Sequence, residues 1–460
     1  MTLPNEFTSY TRQLMGEELY HILQDGLSEE TPTSIRVNPF KVSMPSYSDS
    51  VPWCQQGFYL HSRPAFTFDP ALHAGLYYVQ ESSSMFVCEV VRQLIHEPVT
   101  MLDLCAAPGG KSTALRSSLP SGSLLFTNEP VKNRASILKE NIMKFGHPDV
   151  IVTNNLPRDY RKAGVMFDAI LTDVPCSGEG MFRKDPGAIE EWSPQNVEKC
   201  RLLQRSIIED IWPCLQPGGI LIYSTCTFNA HEDEENAIWI AEHLGADFIT
   251  LDIPEEWHIT GSLVGDIPAC RFIPGKTRGE GLFLTVLRKS GGQNDVANKP
   301  ITKHAQKGHS HLSDTQNIAG QWLTGDFVST TEKDLIRAIP ASWAPIYNQV
   351  KGKLHILHAG VELGTIKGKS VIPDTSLALN TALKADAFPT IDLSYANAVR
   401  FLRREPVMLP PECPRGFILI TYNGHPLGFE KNLGTRANNL YPQEWRIKSS
   451  HLPEETVQVL

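Results

Sequence analysis

The sequence predicts an α/β protein built around a doubly wound parallel sheet. Between residues 99 and 290, short apolar runs alternate with stretches of helical periodicity. Two of these runs end in polar turns that carry a cysteine, Asp173-Val-Pro-Cys-Ser-Gly178 and Tyr223-Ser-Thr-Cys-Thr227. Because ligands bind at the carboxyl edge of parallel strands, two such cysteines can converge on one pocket.

The elements of this sheet are predicted in chain order. Apolar runs indicate strands at 99–104, 124–129, 150–153, 167–172, 220–223 and 282–287, with a further run at 247–251. A Gly-Gly turn leads into a helix at Lys111, and helical spacing predicts helices at 131–145, 196–215 and 231–244. The turn 279–281 before the last run permits an antiparallel final strand.

The remaining chain divides into regions of different composition. Residues 1–98 mix helical and extended patterns and form an N-terminal extension, and 99–290 form the central domain. Residues 291–316 are polar and without apolar periodicity, which indicates a linker. We expect an intermediate domain at 317–385 and a final domain at 386–460, where an Asn423-Gly424 turn predicts a hairpin.

Composition excludes several classes of protein. With 41% hydrophobic and 20% charged residues, the chain is typical of a globular protein. Glu6, Arg12 and Glu17 interrupt the N-terminal segment, which is therefore neither a signal sequence nor a membrane span. The nine cysteines are scattered without a C-x-x-C pair, so we expect reduced thiols, no metal site and a cytoplasmic protein.

The charge is unevenly distributed along the chain. The net charge of −9 divides into −12 for residues 1–300 and +3 for residues 301–460. Contacts to nucleic acid would therefore depend on local basic clusters, and each cluster fits a solvated surface equally well. The candidate clusters are Lys351/Lys353, Lys367/Lys369, Arg400/Arg403/Arg404 and Arg183/Lys184.

The glycine-rich turn before Lys111 resembles the phosphate-binding loop of an NTPase. Gly110-Lys111-Ser112 follows a strand, and another apolar run ends in Asp173, as a Walker B acid would. A phosphate loop needs glycine where this chain has Cys105, however, so an NTPase stays a remote alternative. Glu129 ends the next strand, where adenosine cofactors have their ribose hydroxyls bound.

Three motifs carry a resemblance to a known family. Asp103-Leu-Cys-Ala-Ala-Pro-Gly-Gly-Lys111, Asp173–Gly178 and Ser224-Thr-Cys-Thr227 resemble motifs I, IV and VI of the RNA cytosine-5 methyltransferases of the Sun type (NOL1/NOP2/Sun), which use S-adenosylmethionine. Leading motifs of this family are similar to Ser34–Asn38 and Tyr78-Val-Gln80. The tail of its bacterial RsmF-like branch, a PUA-like domain, is similar to Leu427-Gly428, Asn439-Leu-Tyr-Pro442 and Trp445-Arg446.

The resemblance implies an architecture and a function. It implies a Rossmann-like S-adenosylmethionine-dependent methyltransferase domain, an RNA-binding N-terminal α+β extension, and C-terminal α+β and β modules that include a PUA-like domain at 386–460. The implied product is 5-methylcytosine in 16S RNA of the small ribosomal subunit, with transfer RNA as the alternative substrate. The implied partner is ribosomal RNA or the small subunit, without a membrane. A non-catalytic RNA-binding scaffold is a remote alternative.

The resemblance also implies roles for individual residues. Carbon 5 of cytosine is a poor nucleophile, so a thiolate must first add at carbon 6, and the family analogy gives this role to Cys226. Cys176 then assists release of the adduct. Asp173 binds the N3/N4 edge of the base. Lys111 depresses a thiolate pKa or orients the substrate, although a lysine at a helix start is as often a surface residue.

The cofactor residues follow from the same resemblance. The methionine part of S-adenosylmethionine faces the turn, the ribose faces Glu129, and Asp173 borders both cofactor and base. The family places an acid near adenine after the third strand, where this chain has Asn154-Asn155, so we expect Asn154 to contact adenine. The turn consists of Cys105, Ala106, Ala107, Pro108, Gly109, Gly110 and Lys111.

Overall fold

The computed structural model of the protein describes residues 2–45, 47–291, 314–449, 453 and 455–460. The linker expected at 291–316 lies almost entirely outside the described residues and stays a prediction. Among the helices in the described ranges, none combines the length and the apolar character needed to cross a membrane.

The N-terminal region consists of a long helix and a small antiparallel sheet. Helix α1 (Asn5–Ser28) breaks at Gly16, whose φ of 75° is readily adopted only by glycine. In the sheet, β1 pairs on both sides, with β2 and with β3. The elements after α1 are β1 (Thr33–Val37), β2 (Gly57–Leu60), α2 (Pro70–His73), β3 (Tyr77–Val79) and α3 (Val87–Leu94).

The central domain alternates strands and helices as the apolar runs predict. Its elements are β4 (Thr100–Asp103), α4 (Gly110–Ser118), β5 (Leu124–Asn128), α5 (Lys132–Phe145), β6 (Val150–Thr153), α6 (Pro157–Ala163), β7 (Phe167–Asp173), α7 (Pro186–Glu191), α8 (Pro194–Ile211), β8 (Leu215–Thr225), α9 (Glu234–Leu244), β9 (Ala246–Ile249), β10 (Cys270–Phe272) and β11 (Leu282–Lys289). The helix expected at 196–215 ends at Ile211, where a 3-10 turn (Trp212–Cys214) follows. Strand β8 begins at Leu215, and residues 216–219 bulge between its first pair with β7 and the regular pairing from Ile220.

The strands of this domain form one sheet in the order β10-β11-β8-β7-β4-β5-β6, with β9 beside β11. Strands β4 to β8 run parallel. Strand β11 is antiparallel to β8, which confirms the expected antiparallel final strand. Apolar clusters cover both faces, with Met101 and Leu171 in one and Leu102 and Ile170 in the other. Burial on both faces explains the continuous apolar runs of these strands.

The C-terminal half adds two four-stranded sheets, β12-β13-β15-β16 and β17-β18-β19-β20. The predicted hairpin is present, since β18 and β19 pair antiparallel through a turn at Asn423 and Gly424, both at positive φ. The elements are α10 (Asp314–Trp322), β12 (Phe327–Glu332), β13 (Leu335–Pro340), α11 (Ala344–Val350), β14 (Ile356–Ala359), β15 (Val361–Lys367), β16 (Ser370–Pro373), α12 (Thr375–Leu379), β17 (Thr390–Asp392), α13 (Tyr395–Leu402), β18 (Gly416–Tyr422), β19 (His425–Asn432) and β20 (Ala437–Asn439).

The intermediate region is continuous with the central domain. Strand β14 pairs antiparallel with β6 and extends the central sheet to nine described strands. Trp343 and Tyr347 pack in the core of the same sheet, and the Trp343 indole donates to Asp149 at 3.0 Å. The sequence predicts that residues 317–385 form a domain of their own. In the structure this region also covers the β6 edge of the central sheet. Without β14, that edge would expose unpaired backbone groups. The domain limits themselves stay a prediction.

The last domain packs against the N-terminal sheet rather than the central one. Ile35 and Val37 of β1 share an apolar cluster with Phe401 of α13 and Ile418 of β18. The backbone N–H of Val459 also donates to the Asp69 carboxylate of the N-terminal region at 3.2 Å. The two ends of the chain therefore form one body on the flank of the central sheet.

Candidate active site

The two cysteines of the polar turns meet above the carboxyl ends of β7 and β8. These strands pair in parallel, with Asp173 opposite Ser224. Cys226 follows β8 directly, and Cys176 lies three residues beyond β7. The two sulfur atoms are 3.2 Å apart, within hydrogen-bond distance. Parallel pairing thus brings together two thiols that are 50 residues apart in the chain.

The two thiols are not equivalent. The hydrogen bond to Cys226 raises the pKa of Cys176 well above its usual value, and burial raises it further. The negative charge of Glu232 acts in the same direction. Cys176 therefore keeps its proton and donates it toward the Cys226 sulfur.

An ion pair lies beside the cysteines. The Lys111 ammonium is 2.8 Å from Asp173 Oδ2, and the Ser224 hydroxyl donates to Asp173 Oδ1 at 2.8 Å. Burial opposes the charge on Lys111, but the attraction and hydrogen bond of Asp173 outweigh burial and raise its pKa, with a contribution from Cys226. The site therefore presents a fixed carboxylate and a fixed ammonium next to two thiols.

The glycine-rich turn connects β4 to α4 and passes through Gly109, whose φ of 115° suits glycine. Side chains from β5 and α5 fix its backbone carbonyls, so the turn is held in shape independently of any ligand. Asn128 donates to Leu104 at 3.1 Å, Arg134 to Ala107 at 3.0 Å and Asn141 to Pro108 at 2.8 Å.

An acid at the end of β4 has an unused acceptor. Asp103 is fully buried, and its Oδ2 accepts from the Ser112 hydroxyl at 2.6 Å. Its Oδ1 has no hydrogen-bond partner among the described residues. Burial raises the pKa of Asp103 to about 7, against the Ser112 bond that lowers it. A ligand in the turn that carries a positive N–H group would satisfy this oxygen.

A cavity of about 210 Å³ lies between the turn and the N-terminal region. One wall consists of residues of the turn from Cys105 to Lys111, together with Asp173, and the other includes Tyr78, Gln80 and Glu81. The sequence associates Tyr78-Val-Gln80 with the family but does not reveal this position in the site. The N-terminal region therefore closes one side of the candidate active site.

Glu129 and Asn154 lie together at the ends of β5 and β6 and are not among the residues that line that cavity. Glu129 is 2% exposed, and its carboxylate accepts from the Val131 N–H at 2.9 Å and lies 3.5 Å from the Arg134 guanidinium. The amide of Asn154 donates to the backbone carbonyls of Glu129 and Pro130 at 2.7 and 2.9 Å. Its Oδ1 remains the atom through which Asn154 can accept from a ligand.

A buried acidic group beneath the cysteines was not identified from the sequence. Arg271, 1% exposed, pairs with Asp233 at 3.0 Å and donates to Glu234 at 2.8 Å. The sequence signal is the acidic run from Glu232 to Glu235, which we interpreted only as the start of a helix. Among the described residues, no group of three or more His, Cys, Asp or Glu side chains is arranged to hold a metal ion.

Most of the basic clusters singled out as candidate contacts have structural partners. Arg183 is almost fully buried and donates to the carbonyls of Gly26 and Gly279, so it is not available to nucleic acid. Lys367 and Lys369 are exposed at the β15–β16 turn and have no ion pair among the described residues. The other pairings are Lys184 with Glu280, Lys351 with Glu332, Lys353 with Ala163, Arg400 and Arg403 with Glu405, and Arg404 with Tyr441.

The doubly wound sheet, the shaped turn and the paired thiols at one strand edge define an α/β methyltransferase. Comparison with known families agrees in all three parts of the chain. The model of the 16S rRNA methyltransferase RsmB/F matches residues 94–288, the N-terminal domain of 16S rRNA methyltransferase RsmF matches 3–82, and the methyltransferase RsmF PUA domain matches 388–447. Together the three models match most of the chain, so each of its parts is similar to the corresponding part of a 16S rRNA methyltransferase of the RsmB/F kind.

Individual relatives agree with this assignment. The chain is 28% identical to ribosomal RNA small subunit methyltransferase F of Salmonella agona and 29% identical to that of Escherichia coli, over 96% of both chains in each case. Among solved structures, a methyltransferase homologue from Pyrococcus horikoshii superimposes with a TM-score of 0.54 at 26% identity, over 62% of this chain and 95% of the other. NSun6 from the same organism, solved with SFG, gives a TM-score of 0.54 at 22% identity, over 63% of this chain and 99% of the other.

Proposed function

We propose that this protein transfers a methyl group from S-adenosylmethionine to carbon 5 of a cytosine in 16S ribosomal RNA. The observation that carries the proposal is the 3.2 Å separation of the Cys176 and Cys226 sulfur atoms at the carboxyl edge of the sheet. Methylation at carbon 5 needs two separate events at the base, activation and release. Two adjacent thiols, one of which keeps its proton, suit these two events.

Cys226 is assigned as the nucleophile. Cys176 keeps its proton and donates it toward Cys226, so Cys226 is the sulfur assigned to attack the base as a thiolate. Addition of this thiolate to carbon 6 breaks the carbon 5–carbon 6 double bond and makes carbon 5 nucleophilic. Asp173 binds the N3/N4 edge of the base, and Lys111 balances the charge on Asp173 during addition.

Cys176 is assigned to the release step. Once Cys226 is bonded to carbon 6 it is a neutral thioether, so the hydrogen bond and charge that hold the proton on Cys176 are weakened. Cys176 can then lose its proton to solvent water, and its thiolate accepts the proton from carbon 5. Loss of that proton re-forms the double bond and expels the Cys226 thiolate, which completes the reaction.

The turn and its neighbours fit S-adenosylmethionine, which supplies a methyl group on a sulfonium. The unpartnered Oδ1 of Asp103 offers an acceptor to the cationic amino group of the methionine part, held beside the turn. Glu129 offers carboxylate oxygens to the ribose hydroxyls. Asn154 Oδ1 is available to accept from the adenine amino group. A neutral ribose and a sulfonium bind to acidic groups, so S-adenosylmethionine does not need a phosphate-binding loop at this turn.

The substrate is assigned to small-subunit ribosomal RNA because the relatives that match this chain almost from end to end are named ribosomal RNA small subunit methyltransferase F. A domain matching the RsmF PUA model adds a second module for RNA. Lys367 and Lys369, exposed and without an ion pair among the described residues, are the candidate phosphate contacts outside the central domain. Transfer RNA is the alternative substrate.

The test is bisulfite sequencing of 16S RNA and transfer RNA from a strain that lacks the gene. We expect one cytosine of 16S RNA to lose its methyl group, and the wild-type gene to restore it. The Cys226→Ser variant is the matched control and should not restore methylation. Loss of methylation confined to transfer RNA would select the alternative substrate, and unchanged methylation of both RNAs would refute the proposal.

A further inference from the structure

Glu232 lies fully buried beside both cysteine loops, two residues before the first residue of α9. Its carboxylate accepts from three N–H groups on three different segments. The backbone of Ser177 donates at 3.0 Å, the Gln204 side chain of α8 at 2.6 Å, and the Asn229 side chain at 2.9 Å. All three partners are donors, so the arrangement requires a carboxylate that only accepts.

The Glu232 carboxylate holds the backbone on both sides of Cys176, on one side directly and on the other through Gln204. The Ser177 N–H, directly after Cys176, donates to Glu232. The Pro175 carbonyl, directly before Cys176, accepts from the same Gln204 amide at 2.9 Å. The peptide groups that flank Cys176 are therefore both tied to the hydrogen-bonded pair of Glu232 and Gln204.

The hydrogen bonds around Glu232 extend to the loop of Cys226. The hydroxyl of Thr227, directly after Cys226, lies 3.0 Å from the Ser177 hydroxyl. The amide of Asn229, which donates to Glu232, also lies 2.8 Å from the Thr227 hydroxyl. Ser177, which follows Cys176, is thus hydrogen-bonded to Glu232 directly, and Thr227, which follows Cys226, is connected to it through Asn229. The distance between the two sulfur atoms depends on these hydrogen bonds.

We propose that Glu232 is a positioning residue that holds Cys176 in place against Cys226 for the release step, an inference that rests on the proposed function. Glu232 does not touch the base and acts only through the Cys176 loop. If the Glu232 carboxylate is protonated or replaced by an amide, one of its two acceptor groups becomes a hydrogen-bond donor, and that donor faces the N–H of a neighbouring residue. The Ser177 or Gln204 bond is then lost, and the Cys176 loop shifts while the cofactor turn is unaffected.

Titration of Glu232 adds a pH dependence to this geometry. Burial raises the pKa of Glu232 to about 7, against the bonds of Ser177 and Asn229 that lower it. Several titratable groups surround it: Glu179 and Cys176 after β7, Asp233 beside it, Cys200 on α8 and Tyr223 on β8. Because the folded-state pKa is raised, the required carboxylate is present above about pH 7 and is lost as the pH falls below that value.

The experiment uses the full-length Glu232→Gln variant with a 16S RNA transcript and S-adenosylmethionine. Adduct formation and product release are followed separately on denaturing gels. We expect adduct to form but to be released at least about tenfold more slowly than in the wild type, the loss expected for one buried hydrogen bond to a charged group. Cofactor affinity, measured by calorimetry, should be unchanged. The matched control is Glu235→Gln in the first turn of α9, a partly exposed acid 3.0 Å from His231, which should behave as wild type.

The pH profile of release provides a readout that a general loss of stability would not change. In the wild type, the rate of release should fall as the pH drops below about 7 more steeply than in Glu232→Gln, where only the titration of Cys176 remains. The inference is overturned if Glu232→Gln releases product at the wild-type rate while Cys176→Ala traps the adduct. Absence of adduct in every variant, Cys176→Ala included, would instead refute the proposed function. If Glu232→Gln does not fold, a wild-type release rate that is constant from about pH 6 to 8 overturns the inference.

Discussion

Replacement of Lys111 by methionine tests the electrostatics of the candidate active site. The change keeps the length and apolar stem of the side chain and removes the ammonium that lies 2.8 Å from Asp173. Both side chains are mostly shielded, with exposures of 16% and 28%. A hydrogen bond between charged groups in such surroundings contributes about 1.5 to 3 kcal/mol. Since about 1.4 kcal/mol corresponds to a factor of ten, kcat/KM should fall by roughly tenfold to a hundredfold.

The assay is transfer of a radiolabelled methyl group to a 16S RNA transcript. Lys132→Met is the matched control, because Lys132 is exposed at the start of α5 and should leave the rate unchanged. Cofactor affinity measured by calorimetry separates an effect on the reaction from an effect on binding. The reasoning is refuted if Lys111→Met keeps the wild-type kcat/KM, since the ion pair between Lys111 and Asp173 would then have no part in the reaction.

Three further substitutions test separate parts of the structure. Glu129→Ala should weaken S-adenosylmethionine binding by about 1 to 3 kcal/mol in calorimetry, because two ribose hydroxyls lose their acceptor; an unchanged affinity would assign the ribose to another residue. Arg271→Met leaves two buried carboxylates unpaired and should lower the free energy of unfolding by about 3 to 5 kcal/mol in urea titrations. A loss smaller than about 1 kcal/mol would mean that those carboxylates are not held as buried charges. In Gly281→Ala, the added Cβ would lie 2.5 Å from the Phe228 ring, next to the Cys226 loop. It should cost about 1 to 3 kcal/mol of stability, and an unchanged melting temperature would contradict this packing.

The parts of the fold that depend on local pattern could be predicted. The strands that end at Asp103 and Asp173 are short apolar runs bounded by turns, and parallel strands buried on both faces produce such runs. Parallel pairing then brings Cys176 and Cys226 to the same edge, so their proximity follows from topology alone. The left-handed turn at Gly109 is likewise a local property of the glycine.

Features that depend on distant partners could not be predicted. Strand β14 pairs with β6 across about 200 residues of chain, and no local pattern in 356–359 indicates that partner. Arg183 looks like part of a basic contact surface in the sequence, but the carbonyls of Gly26 and Gly279 satisfy it in the structure. Glu232 belongs to an acidic run that resembles a solvated helix start, and its burial becomes evident only when three segments meet around it. A run of charged residues shows only the local composition of the chain, whereas the partner of each charged side chain depends on the tertiary fold.

The division of roles between the two cysteines is tested most directly by trapping the covalent intermediate. Full-length Cys176→Ala and Cys226→Ala proteins are incubated with a 16S RNA transcript and S-adenosylmethionine and resolved under denaturing conditions. The account predicts that Cys176→Ala accumulates an RNA–protein adduct joined through Cys226, because addition occurs and release does not, and that Cys226→Ala forms none. A Cys176→Ala protein that turns over at the wild-type rate without any denaturant-resistant adduct would contradict it.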